Sequence, residues 1–207
     1  MNEKLEVYDL DGQLLYIQDR QEFYNERVKE SKQTSISKKI RTIRLILMNS
    51  NGRIYLQKRS RTKSENSGKY DKTVHVVADS FNMTAIKECA EELFPATILD
   101  TDEFEKAIRV TDLSIIGVFK KIDYINNFQS IRILKDNSNI IQPHMTTIYL
   151  GYYNPIKFID GESSGIEVFS LEEIQEEISQ QPEKFTEDIK YMIQHYESLL
   201  IPINKII

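Results

Sequence analysis

The stretch IRTIRLILMNSNGRIYLQKRS, residues 40–60, limits the folds open to this chain more than any other. Ile43–Met48 and Ile54–Gln57 read as strands, and Asn49–Gly52 between them supplies turn-forming residues. A hairpin of this kind needs a sheet to belong to. A shorter hairpin precedes it: Leu5–Tyr8 and Leu14–Ile17 flank Asp11-Gly12, where the glycine provides the positive φ of a tight turn. RQEFYNERVKESK, between the two hairpins, is a charged and helical link. Further along, RTKSENSGKYD reads as a polar loop around Gly68 and KTVHVVA as a β-branched strand. DLSIIGVFKKIDY and MTTIYLGYYN read as strands, with an irregular polar stretch from Lys135 to Gln142 before the second.

Between KTVHVVA and DLSIIGVFKKIDY lies TAIKECAEELF, residues 84–94. At about 100° per residue, Ile86, Cys89, Ala90 and Leu93 form an apolar stripe, and Glu88, Glu91 and Glu92 cluster on the other side. Pro95 stops the helix, because it has no N–H to donate. IDGESSG is a loop. Ser170 then caps a helix over Leu171–Ile178, with Glu173 completing a capping box. Thr186 caps another, which carries Ile189, Met192, Ile193 and Tyr196 on one face. Hairpins mixed with a few helices predict an α/β (α+β) fold, an α/β/α sandwich with a mixed β-sheet and an N-terminal β-hairpin. No linker interrupts residues 40–200. The expectation is one domain, 1–207, with a hairpin and linking helix over 1–37 and a core over 38–200.

Composition narrows the function classes. The 11 Tyr and 9 Phe among 207 residues allow a real core. A formal charge of −5 gives no general attraction to nucleic acid or to an anionic membrane surface. The single cysteine, Cys89, forms no internal disulfide and suits a reducing compartment. No apolar run with a cleavage site begins the chain, and no stretch approaches about 18 apolar residues. These features predict a cytoplasmic protein with neither signal peptide nor membrane span.

The three glutamates admit two readings. Acidic helix faces are usually solvated surface, as Glu176 and Glu177 are expected to be. Like charges one turn apart cost an isolated helix a few tenths of a kcal/mol, and a divalent cation with oxygen ligands removes that cost.

The surroundings separate the readings. KECAEEL, after a strand and a Gly-Lys-Tyr-Asp loop, resembles the second half of the Nudix box, Arg-Glu-apolar-x-Glu-Glu-x-Gly, with Lys87 in place of the arginine. VYDLDGQLL, IRLILMNSNGRIYLQKRSRTKSENSGKYD and VFSLEEI…PEKFTEDIKYMI resemble segments of the Nudix subgroup related to isopentenyl-diphosphate isomerase. Nearly the whole chain is covered. The resemblance implies hydrolysis of a diphosphate bond in a nucleoside diphosphate derivative. It implies Mg2+ or Mn2+ held by Glu88, Glu91 and Glu92, with Glu88 or Glu92 taking the proton from water. Arg59 and Lys63, in the stretch that reaches phosphates in that subgroup, are the phosphate-binding candidates, as against a charged loop that keeps an edge soluble.

The box is degenerate. Asp79 stands at its first glutamate, Thr73 at its first glycine and Phe94 at its last, and no glycine occurs between Lys69 and Ile116. Glycine lets a loop take positive φ and approach a diphosphate closely, so this loop must differ. The alternative is therefore a catalytically impaired Nudix-fold module that binds a nucleotide or a protein. The isomerase comes third. Its cysteine position falls at His75, Cys89 lies on the apolar stripe, and its later glutamates fall near His144, Thr146 and Thr147.

His75 alternates with Val74 and Val76 and points either to a cleft or to the core. His144, expected just before a strand, is either a metal ligand or base or a loop histidine beside Pro143. Both are kept as substrate-binding candidates. Glu162 is a further carboxylate candidate, and His195 reads as surface. The expected partner is a small diphosphate-containing substrate; the N-terminal hairpin either extends the sheet within the monomer or pairs with a second copy of the chain in a homodimer.

Overall fold

A computed structural model describes residues 4–31, 36–72, 74–77, 95–154 and 163–206. Its elements run β1 (Lys4–Tyr8), β2 (Leu14–Asp19), α1 (Arg20–Ser31), β3 (Lys39–Met48), β4 (Ile54–Arg59), β5 (Tyr70–Asp71), β6 (Val74–Val77) and β7 (Ala96–Ile98). They continue with α2 (Thr101–Val110), β8 (Gly117–Ile133), β9 (Asn139–Tyr152), β10 (Ser163–Phe169), α3 (Leu171–Gln180) and α4 (Glu187–Tyr196). The expected helix at 84–94, with Glu88, Cys89, Glu91, Glu92 and Phe94, lies outside the described residues. So do Thr73, Asp79 and Glu162.

The architecture is α+β, with one mixed sheet in the order β10-β4-β3-β9-β8-β7. The pairs β3–β9 and β7–β8 are parallel and the others antiparallel. β3 is the organising strand. β9 runs along one of its edges from Ile40 to Met48. Three strands share its other edge in succession: β1 at Lys39 and Ile40, β6 at Thr42 to Leu45, and β4 at Leu47 and Met48.

Alternation along β3 divides the core. Ile46 and Met48 face the helices, in one cluster with Phe104 and Ile108 of α2, Ile174 of α3, and Ile189, Met192, Ile193 and Tyr196 of α4. Ile43, Leu45 and Leu47 belong to a second cluster with Phe119, Tyr149 and Tyr153. Successive residues of a strand point to opposite faces, so the five apolar residues of Ile43–Met48 serve both layers.

The C-terminal helices begin where the sequence indicates. Ser170 Oγ accepts from the Glu173 N–H at 3.1 Å, and Glu173 Oε2 accepts from the Ser170 N–H at 2.7 Å, a complete capping box. Thr186 Oγ1 accepts from the Ile189 N–H at 3.3 Å. Gly12 closes the first hairpin at φ +93°.

Two expectations need correction, and one element was missed. The polar stretch from Lys135 to Gln142 is not irregular throughout: β9 begins at Asn139, and a turn at residues 134–138 joins two long strands into one hairpin. Consequently His144 lies within a strand, not before it. Helix α2 was not anticipated, although Phe104 and Ile108 sit one turn apart on its buried side.

Candidate functional site

Arg44 is a lone charge within the apolar run of β3, and it is fully buried. Its neighbours at i±2, Thr42 and Ile46, share its face, so Arg44 points toward the helices. Arginine carries five N–H donors in a planar fork, and here each has an acceptor. Nε and Nη2 donate to Asp188 Oδ2 at 3.3 and 3.1 Å. Nη1 donates to Thr42 Oγ1 at 2.8 Å and to Thr146 Oγ1 at 2.5 Å. Nη2 also donates to His144 Nδ1 at 3.0 Å. Phe128 closes the far side, its ring centroid 4.1 Å from the guanidinium carbon.

Asp188 comes from the first turn of α4, two residues after the Thr186 cap, and is 2% exposed. Besides Arg44 it accepts from Lys72 Nζ at 3.1 Å and from Ser130 Oγ at 2.9 and 3.0 Å. Arg132 Nη2 stands 3.6 Å away. A second buried carboxylate, Asp71, accepts from Lys72 Nζ at 2.8 Å, the Lys72 N–H at 2.9 Å and Thr186 Oγ1 at 2.9 Å. Arg59 Nη1 reaches its other oxygen at 3.3 Å. Lys72 therefore bridges the two carboxylates, and four cations surround them. Thr186 both starts α4 and ties it to β5.

The electrostatics follow from burial and company. Desolvation alone would raise the Asp188 pKa, but Lys72, Arg44 and Arg132 hold it well below the usual carboxylate range. Asp71 is held low by Lys72 and Arg59 against the same desolvation. His144 is driven well below its ordinary value, first by burial and then by the Arg44 and Arg132 charges. Since arginine can only donate, Nδ1 of His144 must accept, and the ring is the neutral Nε2–H tautomer.

This neutrality has a measurable consequence. An unfolded chain protonates this histidine near pH 6.5, whereas the folded chain does not. The unfolded state thus binds more protons as pH falls through that value, and stability declines by up to about 1.4 kcal/mol per pH unit. Full stability from this group is present above about pH 6.5. Urea unfolding across this range should show the decline, and His144→Asn, which keeps an acceptor but no titration, should flatten it. Asp188 makes its own contribution to acid sensitivity only near and below about pH 4.

Above the ion cluster lies a cleft of about 790 Å³ between β8, α3 and α4, within the size range of small-molecule sites. Ile125, Phe128, Ile131, Ile178 and Tyr191 line its walls, with Asp188 at its floor. The cleft offers shape and apolar surface. Its carboxylate at the floor is saturated by donors, so Asp188 is neither a free base nor a metal ligand.

The anticipated site residues are placed as follows. Arg59 joins the cluster through Asp71 and also donates from Nε to the Glu65 carbonyl at 3.3 Å. Lys63 is half-buried in the loop after β4, its N–H bonded to the Ser60 carbonyl at 3.2 Å. His144 is part of the cluster. His75 stands opposite Arg44 in the β3–β6 register, and its side chain lies outside the described residues. Among the described residues, no group of three or more His, Cys, Asp or Glu could hold a metal ion.

Sequence reasoning missed Arg44, Asp71, Lys72, Ser130, Arg132 and Asp188. One signal was available: a lone arginine inside an apolar strand requires a buried partner. Nothing local names that partner, which lies 144 positions away.

No family model and no curated protein matches the chain. Among solved structures, it is similar to DR0079 from Deinococcus radiodurans, with 14% identity and a TM-score of 0.59, covering 93% of this chain and 98% of that one. It is also similar, more loosely, to a MutT protein from Methanosarcina mazei (16% identity, TM-score 0.49, 77% and 94% covered). A Nudix-family hydrolase from Clostridium perfringens gives 15% identity and a TM-score of 0.45, with 78% and 98% covered. Only the first likeness is close enough to show a shared fold. Among the described residues, no helix is long and apolar enough to cross a membrane.

Proposed function

We propose that the chain is a Nudix-type hydrolase that cleaves a diphosphate bond in a nucleoside diphosphate derivative. The observation that carries this reading is the resemblance of KECAEEL to the second half of the Nudix box, in a chain whose preceding strands are firmly placed. β5 is tied down by the ion cluster, and β6 then pairs with the middle of β3 directly ahead of the glutamate-bearing segment. β6 ends at Val77, ten positions before Lys87, and the KECAEEL residues themselves enter the proposal by their resemblance to the second half of the Nudix box. The fold shared with DR0079 over most of both chains is compatible with it.

In this proposal Glu88, Glu91 and Glu92 hold Mg2+ or Mn2+, which when bound polarises phosphate oxygens and lowers the pKa of water. Glu88 or Glu92 accepts the proton. Lys63 and the outward side of Arg59 steady the phosphates, the one as a point charge and the other as a fork. His75 is a further candidate for substrate contact. A cytoplasmic location, suggested by the single cysteine, belongs to the same proposal.

The test is magnesium-dependent phosphate release from a panel of nucleoside diphosphate compounds. The native chain is compared with the double variant Glu91→Gln, Glu92→Gln. The variant should lose about a hundredfold or more in turnover, some 2.7 kcal/mol of transition-state stabilisation. Undiminished activity would sink the role of the glutamates.

The absence of glycine from Lys69 to Ile116 favours a second reading, a binding module without turnover. That reading predicts no release with any compound but a raised melting temperature with one of them. Turnover of isopentenyl diphosphate would instead revive the isomerase.

A further inference from the structure

Exposed large apolar side chains concentrate on the first hairpin: Leu10, Leu14, Leu15, Tyr16 and Ile17 are 38–59% exposed. Leu14 to Ile17 are consecutive in β2, so both faces of the strand are apolar. Among the described residues, β2 pairs only with β1. Its other edge has no strand partner among the described residues, and such an edge is a template for another strand. Monomers usually protect such edges with lysine, proline or a bulge. Here a register shift leaves Leu15 without a partner on β1, but no charge or proline interrupts Leu14–Ile17. The hairpin is also held in place. Lys39 Nζ donates to the Leu10 carbonyl at 2.7 Å and to the Asn126 carbonyl at 3.1 Å, and Asp9 Oδ1 accepts from the Asp11 and Gln13 N–H groups at 2.9 and 2.8 Å.

We propose that β2 is the interface of a two-fold symmetric dimer, in which the free edges of two copies pair antiparallel about Tyr16. Symmetry restricts the choice. A two-fold axis normal to the sheet preserves faces, so one residue must lie opposite its own copy. Centring on Leu15 brings Asp19 of one copy beside the Asp9–Gln13 turn of the other, which carries Asp9 and Asp11, and like charges close together repel. Centring on Ile17 sets Leu15 against Asp19. Centring on Tyr16 pairs Tyr16 with Tyr16 and Leu15 with Ile17, and no like charges stand opposite one another within β2; Lys38, whose ammonium lies 5.5 Å from the Tyr16 ring centroid, flanks the axis in each copy. The strand is thus complementary to itself, which favours a second copy over a foreign strand. Five side chains about half exposed amount to roughly 400 Å² per copy, or about 800 Å² for the pair. Stable interfaces bury about 1,200–2,000 Å², so the strand edges and flanking residues must supply the remainder, and a dimer of micromolar strength is expected.

Sedimentation velocity of the full chain across micromolar concentrations tests this. The native chain should move from monomer to dimer. Tyr16→Lys, which sets two ammonium groups face to face on the axis, should weaken the dimer at least about tenfold. Ile141→Lys, at an exposed apolar residue on β9, should not. A native chain that stays monomeric overturns the proposal, as does a dimer indifferent to Tyr16→Lys. Should Tyr16→Lys fail to fold, Tyr16→Cys in a Cys89→Ala chain decides. A disulfide-linked dimer under mild oxidation, absent for Ile141→Cys in the same chain, supports the interface, and its failure to form overturns it.

Discussion

Asp188→Ala should destabilise the fold by about 3–5 kcal/mol, the usual result of leaving buried charges without their partner. The residue accepts from Arg44, Lys72 and Ser130, and Arg132 stands close by. None of these can turn to water, because each is buried. For a chain of this length each kcal/mol lowers the melting temperature by about 2–4 °C, so a fall of roughly 10 °C is expected. Asp188→Asn should fall between, since its oxygen still accepts while its NH2 faces donors. The contrast is Glu173→Gln, which weakens an ion pair with Arg53 whose partners are 52% and 42% exposed. That pair is worth at most about 1 kcal/mol. Urea unfolding of the three variants checks the order. A loss from Asp188→Ala no larger than that from Glu173→Gln would show that the cluster does not anchor α4 to the sheet.

Gly151→Ala carries the other large expected loss. Gly151 lies directly across from Phe119 in the β8–β9 ladder. A Cβ added there would come within 1.8 Å of the Phe119 ring, which is buried among Leu47 and Tyr149 and has little room to withdraw. Overpacking costs typically about 1–3 kcal/mol, and this contact, aimed at an aromatic ring, belongs at or above the upper end. A cycle with Phe119→Leu separates the cause from any change in backbone freedom. If the ring is the obstacle, the double variant should be more stable than the sum of the single losses by about 1 kcal/mol or more. Strict additivity would place the cost in the backbone instead.

Much of the frame was legible because its signals are local. The hairpins announce themselves by apolar runs around Asp11-Gly12 and Asn49–Gly52, and both C-terminal helices start at Ser170 and Thr186, whose side chains make the capping bonds. Errors arose where polarity was taken for irregularity. Asn139 and Gln142 are polar yet lie in β9, which is long enough to pair with nearly all of β8. Helix α2 was passed over though Phe104 and Ile108 mark its buried side. The ion cluster was beyond reach for a different reason. Its members come from β3, β4, β5, β8, β9 and α4, and only tertiary packing sets Arg44 beside Asp188. The glutamates that carry the proposed chemistry were found by spacing and resemblance.

The single charge within the Ile43–Met48 run of β3 also bears on how the sheet finds its alignment. A one-residue slip of β3 against β9 would exchange its two faces. Apolar side chains would tolerate the exchange, since both layers are greasy. Arg44 would not: its guanidinium would be thrust among Phe119, Tyr149 and Tyr153, far from any carboxylate that β5 or α4 can offer. The arginine thus acts as a key that enters its lock in one orientation, and it rejects a misassembled sheet that hydrophobicity alone would accept. Because β1, β4 and β6 all take their heights from β3, that one selection sets the alignment of half the molecule.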